Sequence, residues 1–483
     1  MLRLKNLIRL FILSTILSLA ITQESPGKAG AASGTEGALG TVNVDGETYN
    51  QIAIRPTIPI GKLKVALDVY LYFNDEGLYP EAWDFSDGAS IYRTLMDKIY
   101  FVRYGDPGDD LYFGLGALPQ STLGQGILVN NYSNTQQYPD VRRIGVESNV
   151  KFGKFGIQTI VSDIKDLSQP GLIGLRGSLE PLNDYNIEVG LSYATDLNQK
   201  AGLLDTDGDG YPDAYDFYPT DADMFDDYAE FQEIYNSISP DASAGEFDEW
   251  WSTRPERNTY DASNEGTETV TALALDAVFG LGPLSLYSQF ATIDGHGWGA
   301  TPLGISTSLP FGFIGRGEFR TCSDGFLFNF WDQAYDLERA VVSNNNTITK
   351  KSTLDSYSKM SGFFAELSGQ IADVLYINVG YQMLMPGEDS QEASNSLLGE
   401  ATLNTRKIPK LNSARVYYMR TNDDNPFDFE NPSANTIHGY ELSLEASDTV
   451  DLLYSQRVTY LADPATGEFT PVESMQIETK IKF

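Results

Sequence analysis

Cysteine is nearly absent: the chain of 483 residues has one, Cys322. A lone cysteine forms no internal disulfide and builds no Cys-based zinc site, so a disulfide scaffold and a zinc module are excluded. Histidine is almost as scarce, with only His296 and His438. Bases are few: 33 Lys and Arg stand against 67 Asp and Glu, a formal net charge of −34. Binding a phosphate backbone takes Lys and Arg, so nucleic acid is not an expected partner. The carboxylate surplus suits calcium, cations in general, or solubility. Long apolar runs are missing too. Beyond the N-terminus none reaches the ~18 residues of a spanning helix, so a mature chain in a membrane would sit there without helices.

The longest apolar run is "LFILSTILSLAI", Leu10 to Ile21. It is shorter than the ~20 residues of a spanning helix and follows the cations Arg3, Lys5 and Arg9. With "SLA" ending at Ala20, residues 1–20 read as a cleaved secretory signal, and no Cys follows to carry a lipid. Residues 21–40, which include "ESPGKAGAASGTEG", read as a flexible mature N-terminus.

Aromatics are abundant, with 28 Tyr, 25 Phe and 5 Trp. The rest of the chain repeats one pattern: about ten residues alternate apolar and polar, then a turn follows. In "YNIEVGLSYATD", Ile187, Val189, Leu191 and Tyr193 share one face, and Asn186, Glu188, Gly190 and Ser192 the other. "FFAELSGQI" sets Phe363, Ala365, Leu367 and Ile371 against Phe364, Glu366, Ser368 and Gln370. "HGYELSLEA" sets Tyr440, Leu442 and Leu444 against Glu441, Ser443 and Glu445. Period-two alternation at this length is a strand with two unlike faces. A tilted strand of about ten residues crosses a bilayer, whereas soluble strands average nearer five or six.

The connections alternate short and long. "PIGK", "FGKFG", "PLND", "GLGP", "ADV" and "SDT" are brief, and long polar stretches lie between them. Aromatics gather toward strand ends, as in "VYLYF" (Val69 to Phe73) and "VYYM" (Val416 to Met419). The expected fold is an all-β transmembrane antiparallel barrel over 41–483, of roughly 16–20 strands. Parity requires a short first strand near Val42 and a hairpin around Pro409.

The chain ends "MQIETKIKF", with Met475, Ile477, Thr479, Ile481 and Phe483 on one face. This resembles the C-terminal targeting strand of Gram-negative outer-membrane β-barrels of the porin kind. The resemblance implies an outer-membrane location, contact with lipid and lipopolysaccharide, and reading of Phe483 by the barrel-assembly machinery. Strands begin by about residue 50, which leaves no room for the plug domain of a TonB-dependent receptor.

One stretch is foreign to a barrel: "DTDGDGYPDAYD", Asp205 to Asp216. It resembles a single thrombospondin type-3 calcium repeat. Carboxylates at alternate positions of a tight loop can converge on a cation that takes six to eight oxygens. The expected ligands are Asp205, Asp207, Asp209, Asp213, Asp216 and the carbonyl of Tyr211, with Gly210 allowing the turn. The surrounding loop, 199–268, is strongly acidic: residues 205–268 carry 19 acids and two bases. "DDYAEFQEIYNSI" within it has Tyr228, Phe231, Ile234 and Tyr235 near one face of a short helix.

Catalytic patterns are missing. His296, beside Asp294, reads as a loop imidazole, and the chain is not expected to be an enzyme. The segment Gly116 to Arg143 is uncharged until Asp140 and folds either into the lumen or out from the rim. Two functions follow from these readings. One is a channel for small solutes, cation-favouring because Glu outnumbers Arg and Lys at the assignable inward positions. The other is a surface-binding or structural envelope protein acting through the calcium loop.

Overall fold

The computed structural model describes the chain from residue 34 to 482, apart from 45–46, 76, 80–82, 138–140, 183–185, 206–209, most of 219–265, 344–345, 373, 388–392, 405–407, 409, 448–449 and 463–468. Twenty strands form one closed antiparallel barrel. They are β1 Gly34–Val44, β2 Glu47–Ile60, β3 Leu63–Leu67 resumed as Val69–Asn74, β4 Ile99–Tyr104, β5 Leu111–Gly116, β6 Gly145–Phe152 and β7 Phe155–Val161. Then come β8 Leu172–Leu179, β9 Ile187–Asp196, β10 Val270–Leu281, β11 Leu284–Ile293, β12 Trp298–Ser308, β13 Ile314–Cys322 and β14 Met360–Ile371. The last six are β15 Leu375–Pro386, β16 Ser394–Asn404, β17 Leu411–Asp423, β18 Thr436–Ser447, β19 Val450–Ala462 and β20 Phe469–Lys482. Closure is direct: Leu39 of β1 pairs with Ile52 of β2 on one side and with Thr479 of β20 on the other. The barrel therefore closes on itself and meets its backbone groups between strands around most of its girth, as a bilayer requires; beyond Asp68, Val69–Leu71 has a strand partner on one side only, β2.

The register lines up like with like. Leu191, Leu275 and Phe290 face one another across β9, β10 and β11. All three point outward and are 44–57% exposed. Between them Ser192, Ala274 and Ala291 point inward and are buried. Phe363, Val416 and Met475 continue the outward apolar belt on other staves. In water this much apolar surface would be an aggregation site; lipid covers it, and the barrel is transmembrane. Aromatics mark the belt's margins. Phe152 and Phe155 stand beside the 153–154 turn, and the Phe290 and Trp298 rings stack at 5.9 Å near the opposite rim.

All nine connections on the rim where the described residues begin and end are short, from 61–62 to 448–449, and include the six brief turns expected from the sequence. The long connections 75–98, 117–144, 197–269 and 323–359 all lie on the other rim. The hairpin around Pro409 is β16 with β17, though Pro409 itself lies outside the described residues.

The N-terminal expectation needs correction. Residues 34–40 were expected to be flexible, yet they belong to β1, an 11-residue strand. Gly and Ala give this segment little strand propensity of its own. Pairing on both sides supplies it, and Gly40 is needed there: a Cβ would lie 2.6 Å from the Ile477 carbonyl oxygen. The signal expected over 1–20 and the residues up to 33 lie outside the described residues, as does Phe483.

Candidate functional site: the barrel lumen and its loops

The inner wall is ionic but largely self-neutralised. Arg176 of β8 donates from Nε to Asp276 at 2.9 Å and from Nη2 to Asp276 and Glu188 at 2.6 and 2.7 Å. On β13, Glu318 accepts from Arg320 at 2.6 Å, from Tyr287 at 2.7 Å, and from Arg316. Arg415 of β17 donates to Glu400 and Glu441 at 2.8 and 2.7 Å. Period-two alternation places these residues inside. The register decides the pairing, and that is not readable from one strand at a time.

Residues 118–134 lie inside the barrel. Leu123, Ile127, Leu128, Val129 and Tyr132 are buried against Ile160, Leu172, Ala272, Ala274 and Ala291 of the wall. Wall side chains capture its backbone. Gln289 Oε1 accepts from the Ile127 N–H at 3.1 Å, Gln158 Oε1 from Gly124 at 3.1 Å, and Arg316 donates to the Gln125 carbonyl. A loop with few charges can make this descent, because its backbone polar groups are met by side chains of the wall.

A second loop, 323–359, descends beside it, which the sequence reading did not foresee. Its run "FLFNFW" (Phe326 to Trp331) has four aromatics outside any strand. Phe330 and Trp331 are wholly buried. That run was the available signal, since so much aromatic surface needs cover. The two loops share a parallel bridge between Val129 and Trp331. The Asn130 N–H donates to the Trp331 carbonyl at 3.1 Å, and the Trp331 N–H to Leu128 at 3.0 Å. Ala334 carries the loop on to Met419 and Ile437 of β17 and β18.

Ion pairs latch both loops near the rim. Tyr335 donates to Asp196 at 2.8 Å, and Arg339 meets the same carboxylate at 3.3 Å. Asp336 accepts from Tyr132 at 3.0 Å and faces Arg143 at 3.3 Å. Lys350 meets Glu338 at 2.8 Å and Asp332 at 3.4 Å. Burial pushes the Asp332 carboxyl up to about 6, against the pull of Lys350. Burial would depress the Lys350 ammonium, but Asp332 and Glu338 outweigh it and hold it above its ordinary value. A third loop, 75–98, carries a helix, α1 (Gly88–Asp97), and sets Trp83 against Tyr70 of β3.

Of the expected calcium ligands, Asp205, Tyr211, Asp213 and Asp216 are described; Asp207 and Asp209 are not. The Asp205 carboxylate accepts from the Gly210 N–H at 3.1 Å, and Gly210 has φ 98°. The Asp213 N–H returns to the Leu204 carbonyl at 2.8 Å, so the stretch closes on itself. Among the described residues no group of three or more His, Cys, Asp or Glu stands at metal-binding range. The acidic loop has a small core of its own. Residues 228, 232 and 235–237, the described part of the expected short helix, are helical. Tyr228 and Tyr235 pack on Phe247 at 5.1 and 5.2 Å, and Phe247 is fully buried. The loop's base is tied to 323–359 by Tyr215 with Thr347 at 2.9 Å and by Thr349 donating to Glu268 at 2.8 Å.

His296 lies in the 294–297 connection, 3.2 Å from the Asp355 carboxylate, and His438 pairs with the Tyr460 hydroxyl at 3.0 Å.

No known family's sequence pattern matches this chain, and no curated protein matches it. Solved structures similar to it include OccK11 (OpdR) of Pseudomonas aeruginosa, with 8% identity and TM-score 0.31 over 93% of this chain and 95% of that one. OccAB3 of Acinetobacter baumannii shows 8% identity and TM-score 0.30 over 94% and 100%. A mutant porin of Rh. blastica shows 9% identity and TM-score 0.26 over 94% and 99%. At such scores the similarity adds nothing to what the barrel's own geometry shows.

Proposed function

We propose that this barrel is an outer-membrane channel for small solutes. One observation carries the reading: ionised side chains such as Arg176, Glu318 and Arg415 line the inside of a barrel whose outside is apolar. Charges face inward only where water or counter-charges meet them. Twenty staves enclose more space than wall side chains fill, and the two descending loops narrow that space into a constriction. The signal over 1–20, lipid and lipopolysaccharide contact, and assembly through Phe483 belong to the same reading.

The channel favours cations. The wall contributes little to this, because its carboxylates are closed on by arginines. The mouth contributes most, through the excess of 19 acids over two bases between residues 205 and 268. Such a mouth enriches cations within a Debye length, ~10 Å at 0.1 M salt. A Ca²⁺ ion held by Asp205, Asp207, Asp209, Asp213, Asp216 and the Tyr211 carbonyl would order that loop; the turn at Gly210 and the closed stretch fit this. A second reading, a surface-binding protein, draws support from the same two loops if they seal the lumen. Reversal potentials across a salt gradient test the preference: a cation-favouring value that weakens at high salt is expected, and an anion-favouring one refutes it.

A further inference from the structure

Three of the six non-glycine residues with positive φ among the described residues line one cleft. They are Asn131 (φ 54°), Asn329 (φ 56°) and Asn422 (φ 52°). Asparagine adopts this backbone more easily than most residues, but sparsely populated conformations gathered at one place mark function. The cleft lies inside the barrel, where the 117–144 and 323–359 loops meet β14 to β17. It measures about 60 Å³. At ~10–15 Å³ per water it holds on the order of five waters, or one small solute.

The chemistry of the lining is specific. Besides these three asparagines it presents Asn130, Gln333, Gln382, Ser396 and Thr421. Two buried oxygens there, Asn329 Oδ1 and Thr421 Oγ1, have no hydrogen-bond partner among the described residues. Buried polar atoms are seldom left so. One is a pure acceptor and the other both donates and accepts. The charged groups present are already engaged: Asp332 with Lys350, and Glu366 with Arg316 at 3.8 Å. Leu398 and Met419 supply an apolar floor. An anion would call for an available Arg or Lys, and a cation for an available carboxylate. Amides and hydroxyls over an apolar floor match a molecule with many hydroxyls and C–H faces.

We propose that this cleft is a binding site for an uncharged polyhydroxylated solute, taking a small polyol whole or one hydroxyl-bearing edge of a single sugar ring, on its way through the lumen. The proposal rests on the channel reading and names its substrate class. The test uses the full-length refolded protein in detergent, with glucose as the probe, read by saturation-transfer NMR. Asn329→Gly with Asn422→Gly removes two carboxamides and keeps the backbone conformation, which glycine adopts freely. Thr421→Val removes one hydroxyl at nearly constant volume and guards against a loop that simply undocks. Saturable transfer to glucose is expected, with apparent Kd weakened tenfold or more in the double variant and several-fold in Thr421→Val. Transfer no greater than to a polyethylene glycol of similar mass, or unchanged in both variants, overturns the proposal. A conducting bilayer with no glucose binding refutes this site alone. A silent bilayer with glucose binding refutes the channel and leaves the site standing.

Discussion

Trp331→Ala separates the two loops from the wall that encloses them. Trp331 is fully buried, packs on Phe330 with centroids 4.8 Å apart, and lies 6.0 Å from Tyr335. Truncating a buried Trp costs about 3–5 kcal/mol, part of which is the lost edge-to-face ring contact. None of the twenty staves pairs with residue 331; its bridge is to Val129 of the other loop. The loss therefore falls on loop docking and not on the barrel ladder. At ~1.4 kcal/mol per factor of ten, about 4 kcal/mol raises the undocked population roughly a thousandfold. Hydrogen exchange reads this directly. The Asn130 amide, bonded to the Trp331 carbonyl, should exchange roughly a thousandfold faster, up to the limit set by the chemical rate. Amides of the β9–β10 ladder, Leu191 and Leu275 among them, should stay protected. Unchanged exchange at Asn130, or ladder protection lost with it, would refute the division into rigid wall and separately docked loops.

Raising the pH should loosen the 323–359 loop. Burial lifts Asp332 to about 6, from 3.8, so the docked loop binds more protons than the free one between those values. Its contribution is full below pH 3.8 and is lost as pH rises through 6; protease sensitivity of the loop should rise across that window, and Asp332→Asn should flatten the profile. Asp207→Ala with Asp209→Ala should abolish a calcium heat in calorimetry whose affinity is on the order of 10⁻⁴ to 10⁻³ M; a heat that survives both changes rules out the proposed ligands. Phe483→Asp should lower outer-membrane levels while leaving the melting of the protein that does assemble nearly unchanged; normal levels would count against its role as an address.

The staves were legible because two solvents act on them. Lipid outside and a polar lumen inside impose period two, so Val189, Leu191 and Tyr193 separate cleanly from Glu188, Gly190 and Ser192. Turn brevity on one rim was legible for a related reason: a hairpin needs only a few residues, and Gly61, Gly153 and Gly282 supply positive φ there. The start of β1 was hidden because its pairing comes from barrel closure, a contact between the two ends of the chain. The break at Asp68 in β3 was hidden as well. It comes from a long-range contact, since the Asp68 N–H donates to the Lys98 carbonyl at 2.9 Å and its carboxylate meets Arg55 and Arg142. The lumen was half legible. Composition left the 117–144 loop free to go in or out, and its burial depends on partners such as Gln289 and Arg316 that lie well over a hundred residues away. The excess of inward Glu was visible, but its neutralisation by Arg176, Arg320 and Arg415 depends on register and is a property of the assembled sheet.

Single-channel recording of the refolded protein, with insertion confirmed independently by heat-modifiable gel migration, tests the central claim most directly. The account predicts stepwise conductance through a constricted lumen, with larger or noisier steps for Trp331→Ala as the loops undock. Wild-type and Trp331→Ala membranes that both stay silent despite confirmed insertion would contradict the channel and leave the acidic outer loop as the working part of the molecule.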